Sequence, residues 1–415
     1  MLEYLSDRGK KFVRTMPPLV QAHFSNLNNM YDKEKNPGGL INMGTAETKL
    51  VDREVCELLK KVADRMPLEG WNLHYNRFEG TDQFRQAIAD YWQNVIFGND
   101  SGRKLTKDNI ATCAGCTVAL ESLATLLAEP GDVFLIPAPY YSSFVDDINE
   151  IPGVVAVGIP DCAQTMSRDA MEKAYDEQVS RGKRVRAILF SSPNNPLGTV
   201  YTEEQIKTLI AFAMDKDIDI ISDEIYAQTV FDPQAKHVST LKLVPDEYIH
   251  RVHVTSSFAK DFALSGFRTG ICISFNPDII TGMGSLTYYS CVSSHTQALL
   301  TELLKAPELP QVMQLSRDRL REAYEIMRDG LENIGVPVKK AQAGIFVFAD
   351  FSSYLDKQEY DREQVFWEKV YNELMINISP GHLFGASKPG WFRACYAIDK
   401  ESVEEACRRL AKLRR

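Results

Sequence analysis

One lysine set among aromatic residues carries the most specific chemistry in this chain. Lys260 stands between Phe258 and Phe262 in SFAKDFALSGFRTG, Ser257 to Gly270. Apolar neighbours disfavour the charged ammonium, and an uncharged amine attacks carbonyl carbon to form an imine. Ser257 and Arg268 flank it at minus three and plus eight, a hydroxyl and a guanidinium suited to one phosphate. Taken alone, the segment could equally be a surface loop. A second group of residues follows the strand-like run in IDIISDEIYAQTVF, where Asp223 and Tyr226 come directly after the apolar residues. A carboxylate there can pair with a ring nitrogen and a phenol can reach a ring oxygen. Capping a helix is the plainer role for Asp223. In FSSPNNPLGTVYT a Pro/Asn/Gly turn brings the Asn195 amide to a strand end. In CAGCTVALE the backbone N–H groups of Cys116, Thr117 and Val118 open a helix and can face an anion. Arg393, in PGWFRACYA, can hold a carboxylate by two parallel hydrogen bonds, or form a structural salt bridge.

Each segment is ordinary by itself, but the set is not. An imine-forming lysine, a carboxylate for a pyridinium nitrogen, partners for a phenolic oxygen, a phosphate cradle and a carboxylate clamp are the needs of pyridoxal phosphate. No metal site is expected. Cys113 and Cys116 form a CxxC, yet no second CxxC or His pair at ligand spacing accompanies them, so buried thiols at a strand end are the expectation.

The elements that must position these residues follow from periodicity. Between about residues 105 and 275, short apolar runs alternate with stretches long enough for a helix: Val133–Ile136, Val154–Ile159, Ala187–Phe190, Ile218–Ile221, Val252–Val254 and Gly270–Ser274. Continuous apolar strands alternating with helices predict an α/β fold with a mostly parallel sheet covered on both faces. Ligands of such sheets bind at the carboxyl ends of the strands, where the residues above fall. Beyond about residue 295 the texture changes to a helix over Arg317–Leu331, a strand in AGIFVFADF, another helix, a short strand in WFRACYA and a closing helix Ser402–Leu413. That mixture predicts a smaller α+β domain. The expected division is an N-terminal arm and part of the small domain over 1–50, a large cofactor-binding domain over 51–295, and a small domain over 296–415. The arm is expected to pack on the small domain and reach a partner subunit.

Composition agrees with a globular enzyme. The chain has 415 residues, more than one hydrophobic core usually holds, with 44% hydrophobic and 25% charged residues. A net charge of -9 argues against binding nucleic acid or anionic membranes. No apolar run reaches the ~18 residues of a membrane span. The start, MLEYLSDRGKKFVR, lacks the apolar centre of a secretion signal, and the cytosol is the expected location.

Nearly the whole chain resembles the fold-type I aminotransferases, and within them the aminocyclopropane-carboxylate synthase branch. The matching stretches are NMGTAETKL, FEGTDQFRQAIADYW, AEPGDVFLIPAPYYSSF, NNPLGT, SDEIYAQTVF, KDFALSGFRTG and PGWFRACYA. The resemblance implies the aspartate-aminotransferase fold with a seven-stranded-type sheet, and pyridoxal 5'-phosphate on Lys260. It implies that Asp223 pairs with the ring nitrogen, Tyr226 and Asn195 bond the ring oxygen, and Tyr141 stacks on the ring. Ser257, Arg268 and the Cys116–Val118 amides would hold the phosphate. Arg393 would grip the carboxylate of an amino-acid substrate, with Ala46 and Glu47 nearby. It further implies a homodimer with shared active sites, Tyr75 completing the neighbour's phosphate site.

The chain departs from the family at three places. Ser192 replaces the usual Asn before Pro193, and Ala259 replaces the usual serine before the lysine. Tyr75 keeps the aminotransferase tyrosine five residues before Gly80, but Phe78 stands where the cyclopropane-forming synthases carry theirs, and offers no hydroxyl. Glu47 is shared with the synthases, and a carboxylate beside the substrate side chain favours a cation such as a sulfonium. Elimination or replacement at Cγ of S-adenosylmethionine, or of a similar amino acid, is therefore the leading expectation. Transamination with 2-oxoglutarate or pyruvate and carbon–sulfur β-lysis are the alternatives. A non-catalytic regulator is disfavoured, because no segment is spare for a DNA-binding domain.

Overall fold

Buried apolar runs in the middle of the chain assemble into one sheet, seen here in a computed structural model that describes residues 4–13, 18–66, 68–98 and 102–413. The strands are β1 (Ile41–Asn42), β2 (Ile110–Cys113), β3 (Val133–Pro137), β4 (Val155–Ile159), β5 (Val185–Ser191), β6 (Asp219–Asp223), β7 (Val252–Ser257), β8 (Gly270–Ser274), β9 (Phe346–Asp350), β10 (Ile376–Asn377), β11 (Ser379–Pro380) and β12 (Trp391–Cys395). Seven form a sheet in the order β2-β8-β7-β6-β5-β3-β4. Strands β3 to β7 pair in parallel, while β8 runs antiparallel to both β7 and β2. Every apolar run read from the sequence is a strand. Two ends differ: Asp223 and Ser257 are the last residues of β6 and β7, because their backbones still pair with Thr255 and Gly270 after the apolar side chains have stopped.

Alternation along these strands fills two layers. Leu135, Ile188 and Ile220 belong to one hydrophobic cluster, whereas Phe134, Leu189 and Ile221 belong to the other. Each such fully buried side chain contributes about 1.5–3 kcal/mol, and neither face is left to water.

A further core gathers around the antiparallel sheet β11-β12-β9. β1 pairs in parallel with β10, which ties the segment before residue 50 to this core. The helix Leu309–Glu332 joins the two cores, giving Leu309 and Met313 to the large-sheet cluster and Leu320, Tyr324 and Met327 to the other. It begins eight residues before the predicted Arg317, with a proline in its first turn. Proline there loses no helical hydrogen bond, so it does not delay the start. The last helix, Lys400–Leu410, begins after Asp399, whose carboxylate accepts from the Ser402 N–H at 2.8 Å. No helix among the described residues is long and apolar enough to cross a membrane.

Candidate active site

Strand order creates a crevice. β4 lies on one side of β3 and β5 to β7 lie on the other, so the loops leaving β3 and β5 diverge at the carboxyl edge. A cavity of about 610 Å³ opens there. Tyr141 reaches it after β3, Asn195 after β5, Asp223 and Tyr226 at the end of β6, and Ser257 and Lys260 at the end of β7. Cys116 and Thr117 come from the helix after β2, Arg393 from β12, and Ala46 and Glu47 from the loop after β1.

Two glycines shape the end of the cavity that can hold an anion. Gly115, at φ 105°, precedes the helix Cys116–Leu127. A Cβ on Gly115 would stand 2.6 Å from Arg268 Nη2, and one on Gly270 would stand 2.4 Å from the Gly115 carbonyl carbon. Only glycines let the Arg268 loop lie this close to the helix start. The guanidinium donates to the Ser265 carbonyl at 3.2 Å and forms no ion pair among the described residues. Helix N-terminus, guanidinium and the Ser257 hydroxyl thus face one space.

At the centre lies an acid without a cation. Asp223 is 4% exposed, and its Oδ1 accepts from Thr255 Oγ1 at 3.3 Å and Cys116 Sγ at 3.5 Å. Both donors are neutral, no ion pair reaches it among the described residues, and burial pushes its carboxyl up to about 7. A second acid, Asp147 on the helix Phe144–Asn149, is pushed up to about 7 by burial and then by Asp223, and its Oδ2 has no partner. Burial raises the Tyr141 phenol to about 12 and also raises the Tyr226 phenol.

Lys260 Nζ donates to the Ala46 carbonyl. Burial lowers the pKa of this amine; Arg393 and Arg268 act the same way, while Cys395 and Glu47 partly oppose them. Arg393 is 4% exposed and sits 4.8 Å over the Phe384 ring. It donates to the Gly44 carbonyl at 2.7 Å and to Asn195 Oδ1 at 3.3 Å, its Nε has no partner, and no carboxylate pairs with it among the described residues. A buried guanidinium in that state suits a carboxylate from outside the chain. The set fits a phosphorylated pyridine aldehyde: an amine whose charge burial disfavours, an acid lacking a cation, and an anion cradle in one cavity.

Residues 39–410 match the family model Aminotransferase class I and II. The chain belongs to that family. It is a pyridoxal-phosphate-dependent enzyme of lyase or transferase type. The chain is 32% identical over 403 residues to 1-aminocyclopropane-1-carboxylate synthase 5 of Arabidopsis thaliana, covering 92% of this chain and 84% of that protein. It is 32% identical over 398 residues to synthase 4 of Solanum lycopersicum, covering 92% and 83%. Aspartate aminotransferase from Thermus thermophilus superposes with a TM-score of 0.81 at 22% identity, over 99% of each chain. N-succinyldiaminopimelate aminotransferase from Mycobacterium tuberculosis gives 0.79 at 21% identity, over 99% of this chain and 100% of its own. These two establish the aspartate-aminotransferase fold.

In this family member, Val118 and Phe78, expected at the site, do not line the cavity, and neither does Tyr75, which was expected at the site of a neighbouring chain. The Val118 N–H donates to the Gly115 carbonyl at 3.1 Å, closing the first helical turn, so it is not free for an anion. Tyr75 is 98% exposed and does not line the cavity of its own chain. Phe78 packs edge-to-face on Tyr288, ring centroids 4.7 Å apart, and lines a different surface cleft. Conversely, Asp147, His23 and Phe24 line the cavity without having been singled out in the sequence. Asp147 had one faint signal, a second acid in the first turn of the helix after YYSSF.

Proposed function

We propose that this enzyme acts on an α-amino acid with a cationic side chain, S-adenosylmethionine foremost, by elimination or replacement at Cγ. The observation that carries this reading is Glu47. Its carboxylate lines the same cavity as Lys260 and Arg393, accepts from the Ser265 hydroxyl at 2.9 Å, and forms no ion pair among the described residues. An anion in a partly dry cavity favours a substrate cation over a neutral side chain of the same shape. The relatives named synthases of 1-aminocyclopropane-1-carboxylate support the same choice.

Pyridoxal phosphate, when bound, supplies the electron sink that stabilises a carbanion at the substrate Cα. The residues of the chain do the rest. Arg393 holds the α-carboxylate with its two terminal nitrogens, assisted by Asn195. Lys260 Nζ, whose charged form burial disfavours, is the base that moves the Cα proton. Asp223 would hold a proton on the ring nitrogen, and Tyr226 and Asn195 would orient the ring oxygen. Tyr141 would cover the ring face, while Ser257, Arg268 and the Cys116 and Thr117 amides would hold the phosphate. Ala46 and Glu47 face the side chain of the substrate. At the substrate, the Cγ–S bond breaks and its electron pair leaves with sulfur as methylthioadenosine, while Cγ takes a new bond, to Cβ as that carbon gives up a proton in elimination, or to an incoming nucleophile in replacement.

Incubation of the pure, cofactor-loaded enzyme with S-adenosylmethionine should release methylthioadenosine, read by mass spectrometry. Its absence refutes the proposal. Phe78 offers no hydroxyl where the cyclopropane-forming synthases have one, so 1-aminocyclopropane-1-carboxylate is measured separately in the same sample. Transamination is the second reading, favoured by Tyr75 five residues before Gly80. Return of the pyridoxamine form to the aldehyde with 2-oxoglutarate would select it. We also propose a homodimer. Leu73, Tyr75 and Tyr289 are 75%, 98% and 90% exposed, an apolar and aromatic surface that a partner would cover.

A further inference from the structure

A line of hydrogen bonds fixes where one cavity-lining histidine carries its proton. Trp367 Nε1 can only donate, and it donates to Asn377 Oδ1 at 3.1 Å. Asn377 must then turn its amide nitrogen outward, and this nitrogen donates to Asn42 Oδ1 at 3.0 Å. The Gly44 N–H, also a donor only, reaches the same oxygen at 3.2 Å. The Asn42 side chain is thereby oriented by groups that cannot accept, so its amide nitrogen is the donor end. One N–H goes to Thr45 Oγ1 at 2.9 Å and the other to His23 Nδ1 at 2.7 Å. Nδ1 has to accept, and the ring proton lies on Nε2. Nε2 has no hydrogen-bond partner among the described residues, and His23 lines the cavity with Phe24 and Glu47. The loop that holds His23 through Asn42 and Thr45 is the one whose Ala46 carbonyl accepts from Lys260.

We propose that His23 is a specificity-determining residue whose Nε2–H donates to an acceptor on the distal part of the substrate side chain. The Phe24 ring stands 5.0 Å from the imidazole at 67° and is 53% exposed, giving the same end of the substrate an apolar wall. The chemistry recognised is a side chain that ends in a nitrogen or oxygen acceptor, such as the heterocycle of an adenosyl group or an amide. A hydrocarbon end would leave the N–H unpaired. The inference rests on the cavity being the amino-acid site, not on which amino acid fills it.

The test uses cofactor-loaded wild-type, His23→Phe and His23→Gln enzymes, with dissociation constants read from the change in cofactor absorbance. Two matched pairs differ in the distal acceptor: S-adenosylmethionine against S-methylmethionine, and glutamine against norleucine. In a pair that the wild type binds, His23→Phe should cut the preference for the acceptor-bearing member about five- to tenfold, the worth of one hydrogen bond. His23→Gln, which keeps an N–H, should restore it to within about threefold. An unchanged preference, or equal weakening of both members, would mean that His23 only supports the loop and would overturn the proposal. Should the sulfonium pair fail to bind while the glutamine pair binds, the S-adenosylmethionine reading falls and His23 is judged on the second pair. A wild type that binds none of the four overturns both.

Discussion

Replacing Arg393 by lysine separates charge from geometry at the substrate clamp. The guanidinium is buried, lies over the Phe384 ring at 4.8 Å, and is aimed by the Gly44 carbonyl at 2.7 Å and Asn195 Oδ1 at 3.3 Å. Lysine keeps the charge but can offer a carboxylate only one of the two parallel bonds. A hydrogen bond to a charged group is worth about 1.5–3 kcal/mol. At about 1.36 kcal/mol per factor of ten, Arg393→Lys should lower kcat/KM for an α-amino acid about 10- to 150-fold. Cofactor affinity, set at the other end of the cavity, should change by less than about threefold, since no lost bond of that size touches it. The assay is steady-state turnover with one amino acid and with its decarboxylated amine. The amine has no carboxylate to lose, so its slow turnover should be equal in both enzymes. A loss below about threefold for the amino acid, or an equal loss for the amine, would refute the clamp.

Other perturbations have equally definite outcomes. Asp223→Asn removes the acid proposed to balance a protonated ring nitrogen. Losing one partner of a buried pair costs about 3–5 kcal/mol, so Cα-proton exchange followed by NMR should slow about 150- to 5,000-fold at saturating cofactor. Asp147 is raised to about 7 in the folded chain, so between the ordinary carboxylate range and pH 7 the folded state binds more protons than the unfolded. Stability of the cofactor-free protein should fall as pH rises through that window, and Asp147→Asn should flatten the slope in urea titrations at a series of pH values. Mixing Lys260→Ala chains with Tyr75→Ala chains should give dimers with one intact site and recover activity that neither parent has. Failure to recover it would remove Tyr75 from the neighbouring site.

What the sequence revealed follows from the kind of order each residue obeys. The strands were legible because runs such as Val133–Ile136 are apolar on both faces and too short for a buried helix, as in a covered sheet. Lys260, Asp223 and Arg393 were legible because strand ends in such a sheet converge, so residues far apart in sequence share one edge. Val118 was misread because a helix start has several N–H groups, and which of them closes the first turn depends on the Gly115 backbone. His23 left no trace, since its role arises through Asn42 and Asn377, 19 and 354 residues away. Asp147 is brought to Asp223 by the packing of a short helix, and no spacing announces that. Tyr75 and Phe78 turn away from the cavity of their own chain, as a segment would that serves another subunit.

The covalent link between the chain and its cofactor is open to direct chemical capture. Borohydride reduces an imine to a stable secondary amine, fixing the pyridoxyl group wherever it is attached. After reduction, digestion and mass spectrometry, the added mass should lie on the peptide containing Lys260 and on no other lysine. A label on a different residue, or an unlabelled Lys260 peptide from fully loaded enzyme, would contradict the assignment of this amine and the site built around it.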